Sequence, residues 1–179
     1  MRTTLAILVL VALVGCGPKA QPLEHREIPN DGKFLDQKNK FAVEYPEPWT
    51  ERKPSSGEDV LLLKRKDFKG EISVAVPKLP PHIPGLIPLQ SVEKGYIDDV
   101  KKRLKDVVVT ESKPVKLSGA FGRQFALTGE GSDGKHSITA LALLKGDTLY
   151  IISAESPANE AEDTRAAFEQ MARSWKWLD

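Results

Sequence analysis

Residues 120–155 read AFGRQFALTGEGSDGKHSITALALLKGDTLYIISAE, three apolar-rich runs separated by two short turns. A strand buried on one face carries its apolar side chains at every second position. Phe121, Arg123, Phe125 and Leu127 therefore share one face of the first run. The turn GSDG leads into KHSITALALLK, and the two-residue link Gly146-Asp147 leads into TLYIISAE. Glycine at the first position of a two-residue link suits a type II′ hairpin. The stretch is predicted to be an antiparallel meander, which DVVVTESKPVKL, residues 106–117, precedes as a fourth strand.

On either side of these strands the period changes. Leu89, Val92, Tyr96, Val100 and Leu104 recur at spacings of three and four, predicting a helix with Ser91 as its N-cap. Gly95 weakens that helix by about 1 kcal/mol relative to alanine. After the meander, Ser156 and Pro157 offer a cap followed by proline in the first turn. Ala161, Thr164, Phe168, Met171 and Trp175 continue as the apolar stripe of a second helix. Nearer the N-terminus, KFLDQKNKFAVEYPEPW carries two runs around a polar turn at residues 37–40, with Phe41, Val43 and Tyr45 alternating. Pro46 and Pro48 end that strand, because neither can donate to a ladder. DVLLLKRK and GEISVAVPK, joined by a turn at residues 67–70, form an antiparallel pair. Each helix has one apolar stripe to bury, so each packs on the sheet. The expected class is α+β, a three-layer α/β/α sandwich with a central, mostly antiparallel sheet and one main helix on each face.

Ahead of this domain, one basic residue, Arg2, precedes an apolar segment at residues 5–14. Crossing a hydrocarbon layer about 30 Å thick takes roughly 20 helical residues, so this segment reads as a leader rather than an anchor. Leu13, Val14, Gly15 and Cys16 resemble the bacterial lipobox, with valine where alanine or serine is commoner. That resemblance implies cleavage between Gly15 and Cys16, and a diacylglycerol thioether and an acylated amine on Cys16. Acyl chains contribute about 0.8 kcal/mol per buried methylene, and two or three of them hold a protein durably on a bilayer. The alternative is a plain secretory signal with an incidental cysteine, which in an exported chain would leave its only thiol exposed to oxidation. Residues 1–15 are thus read as a lipoprotein signal peptide. Residues 16–32, which end in GPKAQPLEHREIPNDG, are read as a lipidated flexible tether, and residues 33–179 as the domain. The expected location is the bacterial cell envelope. If there is an outer membrane, its periplasmic face is expected, since Gly17 is not the Asp that retains such proteins in the inner one.

Composition narrows the function. The chain has 179 residues, 40% hydrophobic and 28% charged, with 26 basic and 25 acidic side chains. One domain is the prior at this length. Nucleic acid is excluded as a partner, because phosphate binding needs an excess of Lys and Arg on one face. His25, His82 and His136 have no metal-ligand spacing, and no metal or cofactor is expected. Ser118 and Ser153 lack the G-x-S-x-G elbow. Asp98 and Asp99 are adjacent on a helix and point apart. Glu160, Glu162 and Asp163 complement the dipole of the last helix.

KFAVEYPEPWT, SVEKGYIDDVKKRL, SGAFGRQFALTGE and RAAFEQMARSWKW, in that order, resemble the Mog1/PsbP-like superfamily over residues 33–178. The resemblance implies a central antiparallel sheet with helices on both sides. It also implies a binding or assembly factor rather than a catalyst. The expected role is a non-catalytic module for an envelope protein partner, monomeric and tied to the bilayer through Cys16. A small-ligand carrier and a hydrolase with an unrecognised site are the alternatives. Candidate contacts are Ile83, Leu86 and Ile87 in LPPHIPGLIPL, residues 79–89, where four prolines stiffen an apolar loop. The same residues could fold back on the core. Trp49 is read as a core plug or a pocket wall.

Overall fold

The structure is a computed structural model and describes residues 21–22, 32–54, 57–79 and 88–179. The chain runs β1 (Gln21–Pro22), β2 (Gly32–Asp36), β3 (Phe41–Tyr45), β4 (Thr50–Arg52), β5 (Asp59–Lys64), β6 (Glu71–Ala75) and α1 (Leu89–Val100). It continues through β7 (Lys105–Leu117), β8 (Ala120–Gly131), β9 (Gly134–Lys145), β10 (Thr148–Pro157), a 3-10 turn (Ala158–Glu160), α2 (Ala161–Arg173) and β11 (Lys176–Trp177).

The meander forms as its turns predict. Thr148 pairs with Lys145 across the two-residue link, and Gly146 has φ +56°, a left-handed conformation that glycine adopts without a steric cost. The larger sheet has the order β1-β7-β8-β9-β10-β6-β5-β4, and every neighbouring pair is antiparallel except β1 with β7. Counting directions across it, β6 and β7 run the same way. The connection that carries α1 must therefore cross β10, β9 and β8, which lays the helix on that face of the sheet.

Side-chain alternation sorts the core into two clusters. Phe125, Leu127, Ile138, Ala140, Ala142 and Ile151 meet Val92, Val100 and Leu104 from α1 and the turn after it. Leu61, Leu63, Ile72, Val74, Leu141, Leu143 and Ile152 meet Phe168, Met171 and Trp175 from the C-terminal region. Each fully buried aliphatic side chain contributes about 1.5–3 kcal/mol of transfer free energy.

Three expectations need correction. On the α2 side the covering layer is not helical alone, since a second sheet of order β11-β3-β2 shares it. Phe41 and Val43 of β3 are 0% and 1% exposed in the same cluster as Phe168, so that layer is part helix and part sheet. Ser91 does not cap α1. The cap position is Pro88, whose carbonyl accepts from the Ser91 and Val92 amides at 2.8 and 3.3 Å, and Leu104 lies in the turn beyond the helix. Ser156 caps nothing either. It is buried in β10, and the Glu160 carboxylate that precedes α2 instead accepts from the Lys69 and Gly70 amides at 3.0 and 2.9 Å.

Gln21 and Pro22, inside the stretch expected to be a tether, pair in parallel with Val115 and Lys116. Cys16 and the rest of the leader lie outside the described residues. No helix among the described residues is long and apolar enough to cross a membrane.

Candidate functional site

Phe121, Phe125 and Leu127 alternate along one face of β8, but their burial differs. Phe125 and Leu127 are 0% exposed and Phe121 is 64% exposed. The cause is the reach of the cover: Val92 is the first α1 residue buried against this face, and Phe121 lies past the start of the helix. A cleft of about 290 Å³ opens there, between Leu89 and Gln90 of α1, Pro114 of β7, Phe121 and Arg123 of β8 and Leu144 of β9. Two lysines flank this end of the sheet. Lys116 Nζ lies 5.6 Å from the centroid of the Phe121 ring. Lys145 Nζ lies 5.6 Å from that of Trp177, whose indole N–H donates to the Ser118 carbonyl at 2.9 Å.

The floor of the cleft is electrically closed. Glu93, 8% exposed, accepts a charge-assisted hydrogen bond from Arg123 Nε, and Arg123 Nη2 donates to Ser112 Oγ at 2.6 Å. Gly122 is required by close approach, because a Cβ there would sit 2.6 Å from Leu143 Cδ2 and 2.8 Å from the Ala142 carbonyl oxygen. The cleft therefore offers an apolar contact with Lys116 beside it, while Lys145 lies on the opposite face of the sheet.

A second exposed feature is the outer edge of β7. β8 pairs with its inner side, and β1 meets the outer side at Val115 and Lys116. Among the described residues no strand pairs with the outer side over residues 105–114. Val108 and Val109 are 56% and 43% exposed on this edge, between two irregularities of register. Below them Glu111 is bonded by Lys113 at 2.5 Å and approached by Arg165 at 3.4 Å. The Lys113 hydrogen bond, more than any other influence, holds the Glu111 carboxyl below its ordinary range.

The polar groups that could suggest catalysis are engaged otherwise. His136 faces carboxylates, with Nε2 2.7 Å from Asp133 Oδ1 and Nδ1 3.6 Å from Glu155 Oε1, and Arg103 also donates to Glu155 at 2.7 Å. Ser118 Oγ donates to the Trp175 carbonyl at 2.6 Å, and Ser153 Oγ lies 3.1 Å from Ser73 Oγ. Asp99 pairs with Lys102 at 3.3 Å. Among the described residues, no three His, Cys, Asp or Glu side chains are grouped to hold a metal ion.

Of the residues singled out in the sequence, Trp49 belongs to the core. It is 5% exposed and meets Phe68 edge-on at 6.3 Å, away from the cleft. Gly15, Cys16, His25, His82, Ile83, Leu86 and Ile87 lie outside the described residues. Sequence reasoning missed Phe121, Leu144, Val108 and Val109 as surface features. Alternation placed Phe121 on the buried face of β8, and only the starting point of α1 reveals that the helix does not cover it.

An antiparallel sheet crossed by one helix and closed by a C-terminal helix and strand is the kind of architecture that the sequence resemblance implied. The chain belongs to the PsbP family, whose model matches residues 32–177. Among solved structures it resembles cyanobacterial PsbP (CyanoP) from Synechocystis, with 13% identity, a TM-score of 0.65 and 94% of this chain and 99% of that chain covered. LpqN of Mycobacterium tuberculosis, described as involved in cell envelope biogenesis, matches with 11% identity and a TM-score of 0.60, covering 83% of this chain and 91% of that one. A Mog1 variant matches with 11% identity and a TM-score of 0.55, over 84% of this chain and 97% of that one. At such identities the likeness is one of fold. No curated protein sequence matches the chain.

Proposed function

We propose that this protein is a membrane-anchored envelope lipoprotein, tied to the bilayer through acyl chains on Cys16, that acts as a non-catalytic binding or assembly module. Its partner is an envelope protein, and it takes an extended segment of that partner along the outer edge of β7. The observation that carries this reading is the unpaired edge over residues 105–114 among the described residues, with Val108 and Val109 exposed on it. A free strand edge presents a row of backbone donors and acceptors, and side chains at alternate positions add specificity. β1 supports the reading, because it is an extended segment already seated on the same edge. The register irregularities around Val108 and Val109 bend the strand and work against pairing between two copies of a flat edge. PsbP-family membership, and the likeness to a protein involved in cell envelope biogenesis, agree with an assembly role. Where the cell has an outer membrane, the anchor lies on its periplasmic face.

The test places a photo-crosslinking amino acid at Val108 in intact cells, with the same group at the exposed Lys135 as control. One adduct specific to position 108, with another envelope protein, is expected. Adducts only with this chain's own copies, or the same adducts from both positions, would overturn the reading.

A further inference from the structure

We infer that the end of the sheet bearing Phe121 faces the bilayer and docks on its anionic headgroups. This rests on the lipid anchor at Cys16 proposed above.

The argument begins with reach. Gln21 is fixed beside Val115 of β7, and Cys16 lies five residues before Gln21. A fully extended chain spans at most about 3.6 Å per residue, so the acylated residue stays within about 18 Å of Gln21. From Val115 back to Lys105, β7 runs ten residues, or about 33 Å at 3.3 Å per residue. A basic run, Lys101, Lys102, Arg103 and Lys105, is at that far end. With that end against the membrane, Gln21 would stand about 33 Å above it, beyond the reach of five residues. The surfaces nearest Gln21 are the outer edge of β7 and the end formed by the turns at residues 118–119 and 146–147.

Charge and apolar exposure choose between them. The β7 edge over residues 105–114 carries Lys105 and Lys113 against Asp106 and Glu111, so it has no net charge to draw it to an anionic surface, and Lys113 is held by Glu111. The sheet end presents Phe121, 64% exposed, with Lys116 beside its ring on one face and Lys145 above Trp177 on the other, against the one acidic residue of its two turns, Asp147. An apolar ring entering the headgroup layer between lysines is the arrangement that interfacial proteins use. Each lysine held at an anionic surface strengthens binding about five-fold. In this orientation residues 105–110 of β7 project away from the membrane, where a partner's segment can reach them.

The test uses the full-length mature protein, acylated as isolated, in vesicles of phosphatidylethanolamine and phosphatidylglycerol with a nitroxide on a fraction of the headgroups. A fluorophore is attached at Asp147→Cys or at Ser132→Cys, exposed turn positions at opposite ends of the sheet. Quenching several-fold stronger at position 147 than at 132 is expected, and equal or reversed quenching overturns the orientation. The contrast is expected to shrink in phosphatidylcholine vesicles and in the Phe121→Ser, Lys116→Glu, Lys145→Glu variant. A contrast unchanged in both overturns the headgroup contact. Mass analysis of the same sample separates the two readings. Unmodified Cys16 sinks the anchor itself, whereas acylated Cys16 with equal quenching sinks only the docking.

Discussion

Phe41 and Trp175 lie ring on ring, with centroids 4.4 Å apart and planes 6° from parallel. One comes from the second strand of the domain and the other follows the last helix, so the stack ties the two termini of the fold together. Tyr150 meets both rings edge-on, at 5.9 and 5.7 Å. Trp175 is 0% exposed, and its removal leaves a cavity that the surrounding strands cannot close. Trp175→Ala is expected to cost about 3–5 kcal/mol in denaturant unfolding. A loss below 1 kcal/mol would mean that the stack is not central to stability.

Glu93 and Arg123 form an ion pair across the floor of the Phe121 cleft, with side chains 10% and 19% exposed. Removing one partner strands the other charge in a site that water reaches poorly. Arg123→Met alone is expected to destabilise by about 3 kcal/mol, near the low side of the range for buried pairs. Glu93→Leu combined with Arg123→Met should recover most of that loss, because no charge then remains to be solvated. Additive losses in the double variant, measured by thermal unfolding, would refute the account.

Tyr45 donates its hydroxyl to Glu51 Oε1 at 2.8 Å. Burial, then the hydrogen bond to the Glu51 carboxylate and that carboxylate's charge, push the Tyr45 pKa up to about 12. Unfolded tyrosine ionises near pH 10, so between about 10 and 12 the unfolded chain releases a proton that the folded chain keeps. The contribution of Tyr45 is complete below pH 10 and is lost as pH rises through 12. Tyr45→Phe should show a shallower decline of stability across that window than the parent. Identical slopes would contradict the assignment.

Val108 and Val109 contribute little to the core, since both are exposed. Replacing both with lysine is expected to change stability by no more than about 0.5 kcal/mol each. The same change should abolish partner capture at the β7 edge, because lysine on a free edge disfavours added strands. Unfolding by circular dichroism and crosslink yield in cells measure the two effects separately. Undiminished crosslinking with an intact fold would move the partner site elsewhere.

Much of the architecture was legible from local pattern, because period and turn chemistry act over a few residues. Gly146-Asp147, the turn at residues 37–40 and the alternation of Phe41, Val43 and Tyr45 all fold as their neighbours dictate. The stripe from Val92 to Val100 likewise named the buried face of α1, although it did not say where the helix begins. Distance in sequence defeats that kind of reading. Trp177 pairs with Phe41, and Gln21 with Val115, across separations that no periodicity encodes, so the second sheet and the parallel edge strand emerge only in three dimensions. The same holds for the surface. Phe121 has the alternation of a core residue, and it reaches water because the helix above starts at Leu89 and its first buried contact comes at Val92. Alternation assigns a side chain to a face of the sheet. Whether that face is covered depends on where another element begins and how far it extends, which is a property of packing.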